Sequence, residues 1–189
     1  CQDQAIVVRF TSDENTEFIE FIDFGVGLSP KRMEEIFTVY FESSKRDDDE
    51  QLGAFGLGSK SPYAYTDSFY VTTRYEGTEY QYLMSKNEVG ISRLTEIINY
   101  PTDEGNGTSI KIPLKNTRSR YSYSYHDDAD KFYKACRRQL CYFENVYIDK
   151  KEADEFNTAK VHHFKHFTFS ELVPYTEMHI KLGQCAYQI

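Results

Sequence analysis

Two short segments of this chain combine residue types that could hold a nucleotide. One is Asp23-Phe-Gly25-Val-Gly27; the other is Gly53-Ala-Phe55-Gly56-Leu57-Gly58, followed by Ser59 and Lys60. Glycine lets backbone come close to a ligand because no Cβ stands in the way. Successive amide N–H groups leading into a helix can cradle an anion such as phosphate. An acid, two glycine clusters and a helix pattern between them therefore point to a nucleotide pocket. Taken alone, Asp23 is equally a turn-forming Asp before Gly. The spacing from Gly53 to Gly58 is that of a Walker A loop, but Ser59 intervenes before Lys60-Ser61. Gly25-Val-Gly27 lacks the third glycine of a dinucleotide fingerprint.

The flanking pattern supplies elements to position these residues. Ile6 to Phe10 and Phe18 to Phe24 read as a hairpin that delivers Asp23 at its end. Ser29-Pro30 starts a helix, with Ser as cap and Pro at the first helical position. Leu28 and Met33 are spaced as a hydrophobic staple. Met33, Ile36, Phe37, Tyr40 and Phe41 form one apolar face, as core packing requires. Glu42 to Gln51 is polar and without periodicity, a surface loop that could act as a lid, with Lys45 able to reach a phosphate or simply to be solvated. A short helix follows the second cluster to about Thr66. Ser68 to Tyr75, Thr78 to Ser85, Val89 to Tyr100 and Thr108 to Leu114 read as strands without crossover helices, an antiparallel meander. Asn116 to His126 reads as a linker, Asp127 to Tyr142 as a helix and Asn145 to Asp149 as a strand. Phe164 to Phe169 and Glu177 to Ile189 read as further strands. The expected fold class is α+β: a two-layer sandwich whose mixed, mainly antiparallel sheet is covered by helices on one face, plus the start of a second α/β unit.

Composition narrows the rest. The 189 residues are 40% hydrophobic and 16% aromatic, enough to bury a core. A net charge of -8 disfavours non-specific binding to nucleic acid or anionic lipid, leaving room only for a local basic patch. Tyr121-Ser-Tyr-Ser-Tyr125 beside Arg118 and Arg120 could stack bases, although a plain linker is the simpler reading. No apolar run approaches the roughly 20 residues of a spanning helix. Cys1, Cys136, Cys141 and Cys185 match no zinc spacing and read as reduced thiols of an intracellular protein. His162-His163-x-x-His166 lacks a Cys or carboxylate to complete a metal set.

The ordered set of Asp-x-Gly-x-Gly, helix, polar lid, Gly-x-x-Gly-x-Gly and the late Gly107-Thr108 resembles the GHKL, or Bergerat-fold, ATPases over roughly residues 5 to 115. Within that group, Tyr40-Phe-Glu-Ser-Ser-Lys45 and the run from Phe55 to Phe69 look like the rIIA family of tailed-phage proteins, linked to lysis control and protection from prophage exclusion. The resemblance implies ATP and Mg²⁺ as ligands, and Asp23, Gly25, Gly27, Lys45, Gly53, Phe55, Gly56, Leu57, Gly58, Ser59, Lys60 and Thr108 as ATP-binding residues. Asp23 would accept the adenine amino group. Thr108 would bind near it through a shared water, and the amides of Gly56 to Gly58 would hold the phosphates. The family's water-activating Glu and Mg²⁺-binding Asn lie on a helix expected upstream of Cys1, so no catalytic residue is assigned. The implied division is an ATP-binding domain over 1–115, a linker over 116–126 and a transducer-like unit over 127–189. The leading expectation is ATP binding, with hydrolysis in the full-length protein, acting as a conformational switch that could drive a homodimer; the location is intracellular, in the bacterial host's cytoplasm if phage-encoded, with peripheral membrane association open. The alternatives are a non-hydrolysing sensor, an interaction scaffold with an unknown protein partner, or another GHKL branch such as MutL, MORC or Hsp90.

Overall fold

The computed structural model describes residues 6–13, 16–38, 58–115, 128–143, 145–173, 179–182 and 185–188. The chain divides into two compact units, Glu20–Pro113 and a second made of Gln2–Ile19 with Leu114–Ile189. Strand β2 (Thr16–Asp23) contributes its two ends to different units.

The first unit is built on β3 (Ser68–Tyr75), β4 (Thr78–Lys86), β5 (Ser92–Pro101) and β6 (Gly107–Pro113), with helix α1 (Pro30–Thr38). Its strand order is β5-β4-β3-β6-β2. The β3–β4, β4–β5 and β3–β6 pairs are antiparallel. The expected meander holds through β5; β6 then returns to the far side of β3. Glu76 and Gly77 make the β3–β4 turn with φ of 48° and 75°, the paired positive values that match strand twist in a two-residue hairpin. The expected strand from Val89 begins instead at Ser92, because the Asn87 carboxamide accepts the N–H groups of Val89 and Ile91 and closes a loop first.

One sheet face carries the core. Phe69, Val71 and Thr73 alternate along β3 and are fully buried, opposite Met84, Tyr82 and Tyr80 of β4. Helix α1 adds buried Met33 and Phe37, the stripe its spacing predicts. The segment after the second glycine cluster is a 3-10 turn over Gly58–Ala64, with Pro62 inside it. Proline cannot donate the next helical hydrogen bond, which explains the short, tight form. Tyr63 packs edge-on against Phe69 with centroids 5.0 Å apart.

In the second unit β1 (Ile6–Asp13) pairs in parallel with β7 (Val146–Asp149). Helix α2 (Asp128–Leu140) carries Asp128 and Asp130 in its first turn and Arg137 and Arg138 in its last, the arrangement that complements the helix dipole. Its Tyr133 hydroxyl donates to Glu152 O at 2.6 Å, and its ring meets Phe10 edge-on. Lys150 to Ala159, polar and left unassigned by pattern, holds a 3-10 turn and α3 (Asp154–Thr158). The expected single strand over Phe164 to Phe169 is a hairpin instead: β8 (Val161–His163) pairs with β9 (Thr168–Ser170) around an exposed turn. The last described segments, β10 (His179–Leu182) and β11 (Cys185–Gln188), form a second antiparallel pair. Among the described residues, no helix is long and apolar enough to cross a membrane.

Candidate functional site

Asp23 ends β2 with an exposed side chain. Its Oδ1 accepts the Gly25 N–H at 2.8 Å, folding the chain into a tight turn that leaves Oδ2 outside this bond. A Cβ on Gly25 would stand 2.9 Å from that same oxygen. Gly27 has a φ of +71°, and a Cβ there would fall 1.9 Å from Arg74 O. The first cluster is thus pressed onto strand β3, and only glycine permits it.

Thr73 holds this loop in place. Its buried hydroxyl accepts the Leu28 N–H at 2.7 Å and lies 3.3 Å from Leu28 O and 3.4 Å from Gly107 O. Gly107 closes the other side, where a Cβ would sit 2.4 Å from Asp23 O. Next to it, Thr108 pairs with Thr73 across β3 and β6. Ser109 Oγ donates to Glu20 Oε1 at 2.7 Å, so those two share one sheet face. Strand side chains alternate, which puts half-buried Thr108 and Asp23 together on the opposite, helix-covered face.

The loop then feeds α1 as its residues dictate. Ser29 Oγ accepts the Arg32 N–H at 3.3 Å and Ser29 O accepts the Met33 N–H at 2.9 Å, an N-cap with Pro30 in the first turn. The far end of α1 meets the second segment. Lys60, 6% exposed, donates from Nζ to Ile36 O at 2.7 Å. Burial lowers its pKa below the usual lysine value. In this structure the Lys60 ammonium therefore serves a carbonyl of the last turn of α1. Exposed Gly58 opens the 3-10 turn, and its carbonyl accepts the Ser61 hydroxyl at 2.8 Å; Ser59 is half-buried.

Asp23, Gly25, Gly27 and Thr108 are brought to one end of the sheet, with Gly58, Ser59 and Lys60 at the opposite end of α1. From Pro30 to Ile36 the helix rises roughly 10 Å at about 1.5 Å per residue, the scale of a nucleotide. Lys45, Gly53, Phe55, Gly56 and Leu57 lie outside the described residues. Sequence reasoning missed Thr73 and the backbone role of Gly107. A polar residue closing the buried row Phe69, Val71, Thr73 was the available signal. Among the described residues no group of three His, Cys, Asp or Glu could hold a metal ion, so no ligand set for Mg²⁺ is assigned.

No protein-family model matches the sequence, and no curated protein matches it. Solved structures do. The ATPase and transducer domains of DNA topoisomerase II from Balamuthia mandrillaris are 21% identical with a TM-score of 0.51. The ATPase region of Saccharomyces cerevisiae topoisomerase II is 18% identical with a TM-score of 0.51, and the same region bound to ICRF-187 (dexrazoxane) is 18% identical with a TM-score of 0.50. Each match covers 77% of this chain and 41% of the other. This chain thus spans well under half the length of the structures it resembles. The likeness shows the fold alone, a mixed and mainly antiparallel sheet like that of those ATPase regions.

Proposed function

We propose that the chain contains a GHKL-type ATP-binding domain. The observation that supports it most is the Asp23 turn: an exposed carboxylate with one oxygen tied to Gly25 N–H, in a loop whose Gly27 lets it press onto β3. The remaining oxygen would accept the adenine amino group. Guanine offers an acceptor at that position and would be rejected. Thr108, on the same face, would bind close by. The amides of Gly56, Leu57 and Gly58 would hold the phosphates, with Ser59 and Lys45 adding side-chain contacts. A phosphate contact from Lys60 would require its ammonium to leave Ile36 O. Mg²⁺ would accompany the nucleotide.

In this reading ATP is a switch, ordering its surroundings and favouring a homodimer. The rIIA-like segments narrow it to lysis control or exclusion protection in a phage-infected cell. The division into 1–115, 116–126 and 127–189 belongs to the same proposal.

Asp23→Asn tests it. Asn keeps an acceptor for Gly25 N–H but turns a donor toward the adenine amino group. ATP binding measured by calorimetry should weaken by about 1.5–3 kcal/mol, the worth of a hydrogen bond to a charged group. Equal affinities for the two proteins, or GTP binding as tightly as ATP, would remove Asp23 from the role.

A further inference from the structure

The β8–β9 hairpin presents a face that the nucleotide reading does not use. His162 pairs with Phe169 across the hairpin, and their rings stack at 5.9 Å and 29°. One row further out, Phe164 N–H donates to Phe167 O at 2.8 Å, and those rings stack at 4.5 Å and 16°. Residues two apart on a strand share a face, so the four rings form a two-row ladder on one side of the hairpin. The rows stand about 6.6 Å apart at roughly 3.3 Å per residue. Phe164 and Phe167 are 55% and 63% exposed.

Charge around the ladder is positive, although the chain as a whole carries -8. From Lys160 to Ser170 there is no acid, while Lys160 stands at the hairpin base and Lys165 at its turn. Glu171 lies just beyond. Its carboxylate is occupied at the hairpin base by His162 Nε2 at 3.1 Å and by the Lys160 N–H at 3.0 Å. These bonds hold it below the ordinary glutamate pKa.

We propose that this hairpin is a stacking platform for single-stranded nucleic acid. Every base has a π-face, so exposed rings bind a single strand without reading its sequence, and nearby lysines follow the phosphates. Rows about 6.6 Å apart suit an extended strand at one nucleotide per row, about twice the 3.4 Å spacing of stacked nucleotides. A bilayer would need apolar groups only at the tip. Here the rings continue to the hairpin base, where His162 is hydrogen-bonded, which favours the single strand.

The test is fluorescence anisotropy of the full chain with a labelled oligothymidylate at low salt. Phe164→Ala with Phe167→Ala should weaken binding about tenfold or more. Phe167→Tyr, which keeps the ring, should bind like the parent. Lys165→Glu should weaken binding and change its salt dependence. Circular dichroism checks that each variant is folded; if the double variant is not, Phe167→Ala alone against Phe167→Tyr carries the comparison, and equal binding by those two would overturn the proposal. Absence of oligonucleotide binding, binding that survives loss of both rings, or equal affinity for duplex would overturn the proposal. So would retention on phosphatidylglycerol vesicles, lost in the double variant, without oligonucleotide binding; that result makes the face a membrane contact.

Discussion

Single atoms decide how the Asp23 turn is built. Thr108 is the residue of the Gly-Thr pair that chemistry points to, yet Gly107 does the closer packing, with room for a hydrogen and not for a methyl against Asp23 O. Gly107→Ala should therefore cost about 1–3 kcal/mol of stability, as overpacking does, and should weaken ATP binding because the displaced backbone carries Asp23. Gly58→Ala is the matched control. A Cβ there meets nothing within 4 Å, so stability should change by no more than about 0.5 kcal/mol. Urea unfolding of the two variants checks this, and equal midpoints would mean that the β2 end yields more easily than its contacts suggest.

Elements hold the loop through two polar groups that no sequence period reveals. Thr73 on β3 supplies the acceptor for the half-buried Leu28 N–H. Thr73→Val keeps the shape and removes the oxygen, leaving a half-buried donor without its protein acceptor at about 0.5–1.5 kcal/mol. Amide exchange at Leu28 should accelerate in Thr73→Val and recover in Thr73→Ser; an unchanged rate would locate the restraint elsewhere. Lys60 plays the matching part at the other end of α1. Lys60→Met removes the donor to Ile36 O, and a loss of about 1.5–3 kcal/mol in unfolding free energy is expected, the range of a hydrogen bond involving a charged group. A Met variant as stable as the parent would show that relief from burying the charge offsets the lost bond. Helix α1 and strands β3, β4 and β6 were legible because apolar spacing and the Ser29-Pro30 and Glu76-Gly77 signals act locally. Thr73 was not, because its hydroxyl finds Leu28 and Gly107 only after β6 returns beside β3. The turn between β8 and β9 was hidden for a different reason: Lys165-His166 contains no Gly, Pro or Asn to mark it.

For the whole molecule the buried titratable groups set the response to alkali. Burial pushes the Cys136 thiol up to about 11 from 9.0 and, in the other unit, contributes most to raising the Tyr82 hydroxyl to about 12 from 10.0. A group that keeps its proton longer when folded stabilises the native state fully below its unfolded value. That contribution is lost as pH rises through the folded value. Lys60 acts in the opposite sense. Its folded pKa lies below 10.5, so its contribution grows as pH approaches 10.5 and is complete above it. The two directions oppose each other above pH 9, and beyond 10.5 only the losses continue. Cys136 accounts for about 2–3 kcal/mol across its interval, at roughly 1.4 kcal/mol per pKa unit. Cys136→Ala should therefore flatten the fall in stability between pH 9 and 11 relative to the parent, whatever its offset at neutral pH. The native thiol should also resist alkylation at neutral pH, since it is 8% exposed and held protonated. Parallel stability profiles for the two proteins across that interval, or rapid alkylation of the folded chain, would show that solvent reaches Cys136 beneath α2.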